Sequence, residues 1–235
     1  MQKTTMNKQV PMIFNQEMVA AILSGLKTVT RRPINYEVKF SEKMGFGFKD
    51  KSDTWWMCGL GFSHENTVAN FVKSKSHIQA GDLIWVRETF CCGRYEETDA
   101  EHPDDRNLYI EQCNDERNYT VYRQEALESK ADIDEVLWKP SIHMPKKSSR
   151  ITLRVKSVSV ERIQDITDEQ AVREGVPNEM DAKKMAGQSG LGWYQKPRVW
   201  FKGLWDRNYA NWSDNPFVWV IEFELIDKNI LKVAE

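Results

Sequence analysis

The chain has 235 residues, with 33 lysines and arginines against 35 aspartates and glutamates, a net charge of -2 and 40 % hydrophobic residues. That balance leaves no global field to draw the protein to nucleic acid or to a membrane surface, so any polyanion contact must be a local patch. No apolar run approaches the length of a membrane span and the start, Met1 to Lys8, is polar, so a protein of the cytoplasm that does not enter membranes is expected.

Val10 to Phe14 reads as a short strand, and Asn15 to Ser24 as a helix. Asn15 is the N-cap, Gln16 and Glu17 fill the first turn, Met18, Val19, Ile22 and Leu23 form the apolar stripe, and Gly25 takes the left-handed position at the end. The octet Gly25-Leu26-Lys27-Thr28-Val29-Thr30-Arg31-Arg32 follows, with three cations and two hydroxyls emerging from one turn before Pro33. In a regular strand Lys27, Val29 and Arg31 share one face while Thr28, Thr30 and Arg32 share the other, so Lys27 and Thr30 converge only if the chain is turned or bulged there. A solvated basic strand edge accounts for the octet equally well.

From Asn35 to Lys75 no period of 2 or 3.6 persists among the glycines and aromatics, and an irregular insertion is expected. Ala80-Gly81-Asp82 is a turn into a central strand, Leu83 to Phe90, in which Arg87 and Glu88 interrupt the apolar run and must be paired, exposed or functional. Glu96 to Arg106 is acidic and loop-like; Asn107 to Ile110 and Tyr119 to Arg123 suggest a hairpin, and Glu125 to Val136 a polar helix or connector. Residues 91–137 as a whole read as a further insertion.

Between Leu137 and Lys147 two prolines stiffen a loop carrying Lys139, His143, Lys146 and Lys147, nitrogen donors suited to phosphate or a carbonyl. Ser148 to Ile163 alternates with period 2 and slips phase near Ser157. Its polar side, which includes Arg150, Arg154 and Lys156, makes with the preceding loop the best polyanion surface in the chain. Thr167-Asp168-Glu169-Gln170 has capping-box spacing, the helix it opens ends at Gly175, and Glu174 in the last turn is disfavoured there by the helix dipole. Pro177 to Pro197 is a second aperiodic stretch; Val199 to Tyr209 is a helix with an aromatic stripe of the kind that fills cores, and Phe217 to Ile226 is a strand that could close a sheet or barrel.

Cys58, Cys91, Cys92 and Cys113 lack zinc spacing, and His64, His77, His102 and His143 are scattered, so neither a metal nor another cofactor is expected. Trp55, Trp56, Trp193 and Trp212 fall in segments rich in glycine, serine and asparagine, where exposed aromatics could stack on bases. Together these elements point to a single α+β domain: a small, mostly antiparallel β-barrel with two or three packed helices and insertions at about 35–75, 91–137 and 177–197.

Several segments in this order resemble the ASCH family of the PUA-like superfamily: the first helix with its octet, Gly81-Asp82 before a strand, Ile166 to Gly175, and the strand Val218 to Glu224. Over its full length, with Trp138 to Pro145 and Trp200 to Tyr209, the chain is similar to ASCH proteins of tailed phages and prophages. The resemblance implies a PUA-like β-barrel with an RNA-facing cleft. The family's small acetylcytidine amidohydrolases use a lysine and a threonine of a G-x-K-x-x-T motif and a glutamate of a later helix. By position these fall on Lys27, Thr30 and Glu174.

In such a site the lysine, its pKa lowered by burial or by Arg31 and Arg32, frees the threonine hydroxyl to attack, and the glutamate relays a proton to the leaving amine. Arg87, Glu88 and His143 stand as candidates for orienting the base or holding the oxyanion. Three functions follow as expectations: hydrolysis of an acylated cytidine-like base in RNA or a nucleoside; non-catalytic binding of RNA or DNA, single strands included, through Lys27, Arg31, Arg32, Lys139, Lys146 and Arg150; or RNA cleavage with His143 among its lysines.

Overall fold

The computed structural model describes residues 7–58, 60, 63–98, 107–113 and 119–227. In chain order the elements are β1 (Gln9–Ile13), α1 (Gln16–Leu23), β2 (Val29–Pro33), β3 (Val38–Ser41), β4 (Gly45–Lys49), β5 (Trp55–Cys58), α2 (His64–Lys75), β6 (Leu83–Arg87) and β7 (Phe90–Glu97). They continue with β8 (Leu108–Gln112), β9 (Thr120–Tyr122), α3 (Arg123–Glu128), β10 (Thr152–Arg162), α4 (Asp168–Arg173), α5 (Glu179–Gln188), α6 (Pro197–Tyr209) and β11 (Phe217–Asp227). Two compact units emerge, one built chiefly from Gly25–Asp82 and Arg154–Glu224, the other from Gln9–Ser24 and Leu83–Leu153.

In the first unit β11 lies between β10 and β2. β2 and β11 are antiparallel, with Thr30 opposite Ile221, Arg31 opposite Val220 and Arg32 opposite Trp219. Strand alternation then gives the sheet two apolar faces. On one, Val29, Val218 and Val220 pack with Ile166, Ala171, Phe201, Trp205 and Trp212 into a core that α4 and α6 cover. On the other, Trp219 stacks on Phe71 at 5.4 Å and Phe217 meets Phe46 edge-on at 5.5 Å. The aromatic stripe of α6 is therefore core, as its spacing suggested, and Trp212, read from sequence as a candidate base-stacker, is buried with it.

The stretch from Asn35 to Lys75, expected to be irregular, is instead an antiparallel sheet in the order β3-β4-β5 followed by α2. Phe46 on β4 stacks at 4.5 Å on Phe71 of α2, and both are buried. Glycines at 45 and 47 hide the alternation, because half of β4 carries no side chain on one face. The aperiodic stretch from Pro177 holds α5, which Asn178 caps by accepting from the Asp181 amide.

In the second unit β1 and β6 are parallel neighbours, and Asn15 caps α1 by accepting from the Met18 amide as read from sequence. β8 and β9 do not form the expected hairpin with each other; both pair antiparallel with β7, which lies between them. Cys91, Ile110, Val121 and Ala126 form the core there. The acidic run expected between Glu96 and Arg106 falls outside the described residues from position 99 onward.

The class is thus mixed α+β, with several antiparallel sheets and six helices among the described residues. No closed barrel is found among the described strands, which form open sheets. An apolar β11 that meets a layer on each face yields the same sequence pattern as a strand closing a barrel.

Candidate functional site

The site begins at two helix ends. Gly25 takes a left-handed backbone (φ 77°) that L-residues avoid, turning the chain after α1 toward Lys27. Gly175 does the same for α4 at φ 93°, and the capping box of Thr167 and Gln170 fixes where that six-residue helix starts. Glu174 is the C-cap residue of α4. Between these points the Thr28 amide donates to the Arg173 carbonyl at 2.9 Å, and the Phe223 amide to the Thr28 carbonyl at 2.9 Å. The lead-in to β2 is therefore strapped to α4 on one side and β11 on the other.

That strapping brings residues 147 positions apart into contact. Lys27 Nζ donates to the Glu174 carboxylate at Oε2 and to the Glu174 backbone carbonyl, both at 2.7 Å. The second bond resolves the apparent conflict of Glu174 with the helix dipole, since the ammonium satisfies a carbonyl the helix end leaves open and supplies positive charge where the dipole favours it. Arg31 NH1 donates to Glu174 Oε1 at 3.0 Å, and Arg31 Nε to Glu161 Oε1 at 2.7 Å. Two cations and two carboxylates thus form one neutral cluster. Lys27, Arg31 and Glu174 are each no more than 3 % exposed, while the Glu161 side chain retains 23 %.

Burial sets the protonation chemistry. It pulls the Lys27 ammonium below its ordinary pKa, with Arg32 and Arg31 adding in the same direction and Glu174 opposing. Burial likewise raises the Glu161 carboxyl, against the pull of Arg31. The amine that Glu174 holds is therefore one whose proton is easier to remove than that of a solvated lysine.

Thr30 is buried in β2. The bond from Phe223 to Thr28 and the pairing of Thr30 with Ile221 continue one register, so the strand is regular from Thr28 onward. Alternation then gives Thr30 the face of Ile221 and Trp219, and Arg31 the face of Val220. Of the other candidates in this unit, Arg32 is half-buried and donates to the Tyr209 hydroxyl at 3.4 Å.

The remaining candidates belong to the other unit. Arg150, read from sequence as part of a basic binding face, instead forks onto buried Glu88 (Nε to Oε1 3.0 Å, NH2 to Oε2 3.1 Å) and reaches Glu125 at 3.0 Å. Arg87 donates to the Ile142 carbonyl. Lys139 exchanges backbone bonds with Phe90 and places Nζ 3.7 Å from Cys92 Sγ. His143 and Lys146 are exposed, in short turns that follow Pro140 and Pro145.

Sequence reasoning missed Glu161, which lies among the polar residues of a strand read as basic. The available signal was that it is an acid in a segment otherwise carrying arginines, lysine and serines. Arg31 was read as a phosphate contact, yet its guanidinium joins the two carboxylates. Searches against protein-family models, curated proteins and solved structures give no match for this chain.

Proposed function

We propose that the Lys27–Glu174 cluster is the proton-handling part of a hydrolytic site for an acylated, cytidine-like base, in a chain related to ASCH proteins of PUA-like fold. The observation that carries this reading is the 2.7 Å contact between Lys27 and Glu174, two motif residues 147 positions apart in the chain. In this reading Lys27 accepts the proton of the attacking hydroxyl in its neutral form, which burial favours. Glu174 relays that proton from Lys27 to the departing amine, and Arg31, bonded to both Glu174 and Glu161, holds the Glu174 carboxylate beside Lys27. Thr30 is the nucleophile, and it is the residue of which the reading asks most, because strand alternation gives it the face away from Arg31.

The test is release of carboxylate from acylated cytidine, free and within RNA, by the wild type and by Lys27→Met, Glu174→Gln and Thr30→Val. Loss of turnover in all three with folding retained supports the reading. Turnover that survives Thr30→Val removes the threonine from it, and absence of turnover by the wild type on every acylated cytidine removes the reaction.

A second reading is favoured by the closure of the cluster. Lys27, Arg31 and Glu174 are buried and bonded to one another, the form a polar network takes when its work is to fix which segments pair. This reading requires Lys27→Met to lower stability without touching any activity found.

A further inference from the structure

The sheet β3-β4-β5 has two unlike faces. Register aligns Phe40 with Phe46 and Cys58 on one, which meets Phe71 of α2, and Lys39 with Gly47 and Met57 on the other. That second face is open: Trp55 is 36 % exposed, Met57 46 % and Met44, on the β3–β4 turn, 49 %. Gly47 is not among the glycines at positive φ, so the backbone does not require glycine there. A Cβ at position 47 would lie 3.0 Å from Met57 Sδ and 3.6 Å from Trp55 Cε3, so those two side chains lie across the glycine. Along this face runs a groove of about 470 Å³ bordered by Lys39, Met44, Trp55, Met57 and Arg162.

Its charge is one-sided. Two of the nine lining residues are cations and none is a carboxylate. Lys39 Nζ rests 4.1 Å from the Trp55 ring centroid, and its ion pair with Glu37 is solvent-exposed and 3.8 Å long, which leaves it weakly held. The Arg162 guanidinium stacks on Phe217 at 3.8 Å and donates to the Asn215 carbonyl, fixed in place with its charge unneutralised by either contact. Glu161, one position earlier on β10, pairs with Arg31, and alternation turns Arg162 to the opposite face. The groove is therefore separate from the Lys27 cluster.

We infer that this groove binds single-stranded nucleic acid, seating one base on the exposed part of the Trp55 ring while Lys39 and Arg162 take the flanking phosphates. An indole face gives stacking to any base, and a lysine already poised over that ring moves to phosphate when a base replaces it. An acidic peptide would use the cations and leave the Trp55 ring without an occupant. The inference goes beyond the hydrolytic reading and does not depend on it.

The experiment is fluorescence anisotropy of the full chain with labelled twelve-residue oligouridine and oligodeoxythymidine across a salt series. Binding is expected to weaken at least tenfold in Trp55→Leu and in Gly47→Val. Trp56→Leu, one position along on the opposite face and 54 % exposed, is expected to bind as wild type does and serves as the folding control. Lys39→Ala and Arg162→Ala should each flatten the salt dependence by roughly one phosphate contact, a slope change of about 0.7. No oligonucleotide binding at low salt overturns the proposal. So does equal weakening by Trp55→Leu and Trp56→Leu, or competition by polyglutamate as effective as unlabelled oligouridine. Hydrolysis of acylated cytidine in the Trp55→Leu variant is read separately, so failure of one site leaves the other standing.

Discussion

Among the described residues two ionic clusters of different construction stand out, one in each unit. Around Glu174 a lysine and an arginine share a carboxylate whose side chain is 3 % exposed, and the lysine side chain has no exposed surface. Around Arg150 a guanidinium forks onto Glu88, reaches Glu125, which is 43 % exposed, and stacks 4.1 Å from the Tyr122 ring centroid. A guanidinium keeps its proton throughout the ordinary pH range, so the Arg150 cluster can brace the fold but its cation cannot exchange a proton. Lys27 is an amine that burial drives toward its neutral form, so its cation, unlike that of Arg150, is one that can give up its proton.

The largest expected effect comes from removing the shared carboxylate. Glu174→Leu strands buried Lys27 and leaves Arg31 with Glu161 alone, and unpairing one buried charge costs about 3–5 kcal/mol, so urea denaturation should show a loss in that range. Glu88→Leu strands only Arg150, which is one-fifth exposed and keeps Glu125, so a loss nearer 1–3 kcal/mol is expected. Equal losses would break the distinction between a closed cluster and one that opens to solvent. Exchanging the cations sharpens it further. Arg150→Lys gives up a bidentate fork and should cost about 1–2 kcal/mol. Lys27→Arg must fit a larger planar group into a filled space and should cost about 1–3 kcal/mol, with loss of any activity that needs a neutral amine.

Titration separates the clusters by pH. The Lys27 pKa in the folded protein lies below its ordinary value, so between the two values the unfolded chain holds a proton that the folded chain has released. Stability contributed by this group therefore rises with pH across that window and is least below the folded pKa. The Glu88 carboxyl is raised by burial against Arg150, so between its ordinary and folded values the folded state holds the extra proton, and its contribution falls as pH rises. Glu161 behaves as Glu88 does, so the acid side does not distinguish the clusters. The alkaline side does: wild type minus Lys27→Met stability should climb as pH rises toward the ordinary lysine value, and a flat difference would mean that Lys27 is not perturbed.

Much of this was legible wherever the governing signal is local. Asn15, Gly25, the Thr167–Gln170 box and Gly175 mark helix ends because capping is a matter of a few adjacent backbone groups. The α6 stripe marked core because helix periodicity survives in sequence. What did not survive was pairing across distance. Nothing near Arg31 announces Glu161, 130 positions away, and β7 took both β8 and β9 as partners where sequence proximity suggested a hairpin. In β3-β4-β5 the glycines that line the groove also erased the alternation that would have revealed the sheet. The meeting of Lys27 with Glu174 follows from neither segment alone.

The smallest expected effect tests how the first cluster is held. α4 has only six residues, too few to be stable without its ends, and its N-terminus depends on the reciprocal bonds of Thr167 and Gln170. Thr167→Ala should cost about 1 kcal/mol, a typical value for a lost cap. Because the far end of α4 supplies the Glu174 carboxylate and the Arg173 carbonyl that receives the Thr28 amide, the loss should appear there as faster hydrogen exchange at Thr28. The amides of α3, beside the Arg150 cluster, give the comparison in the same sample. Acceleration at Thr28 beyond that in α3 would show that the Lys27 cluster depends on a short helix whose start is fixed by two side chains. Equal acceleration in both would mean the cap acts only through global stability, and that the cluster holds α4 in place rather than the reverse.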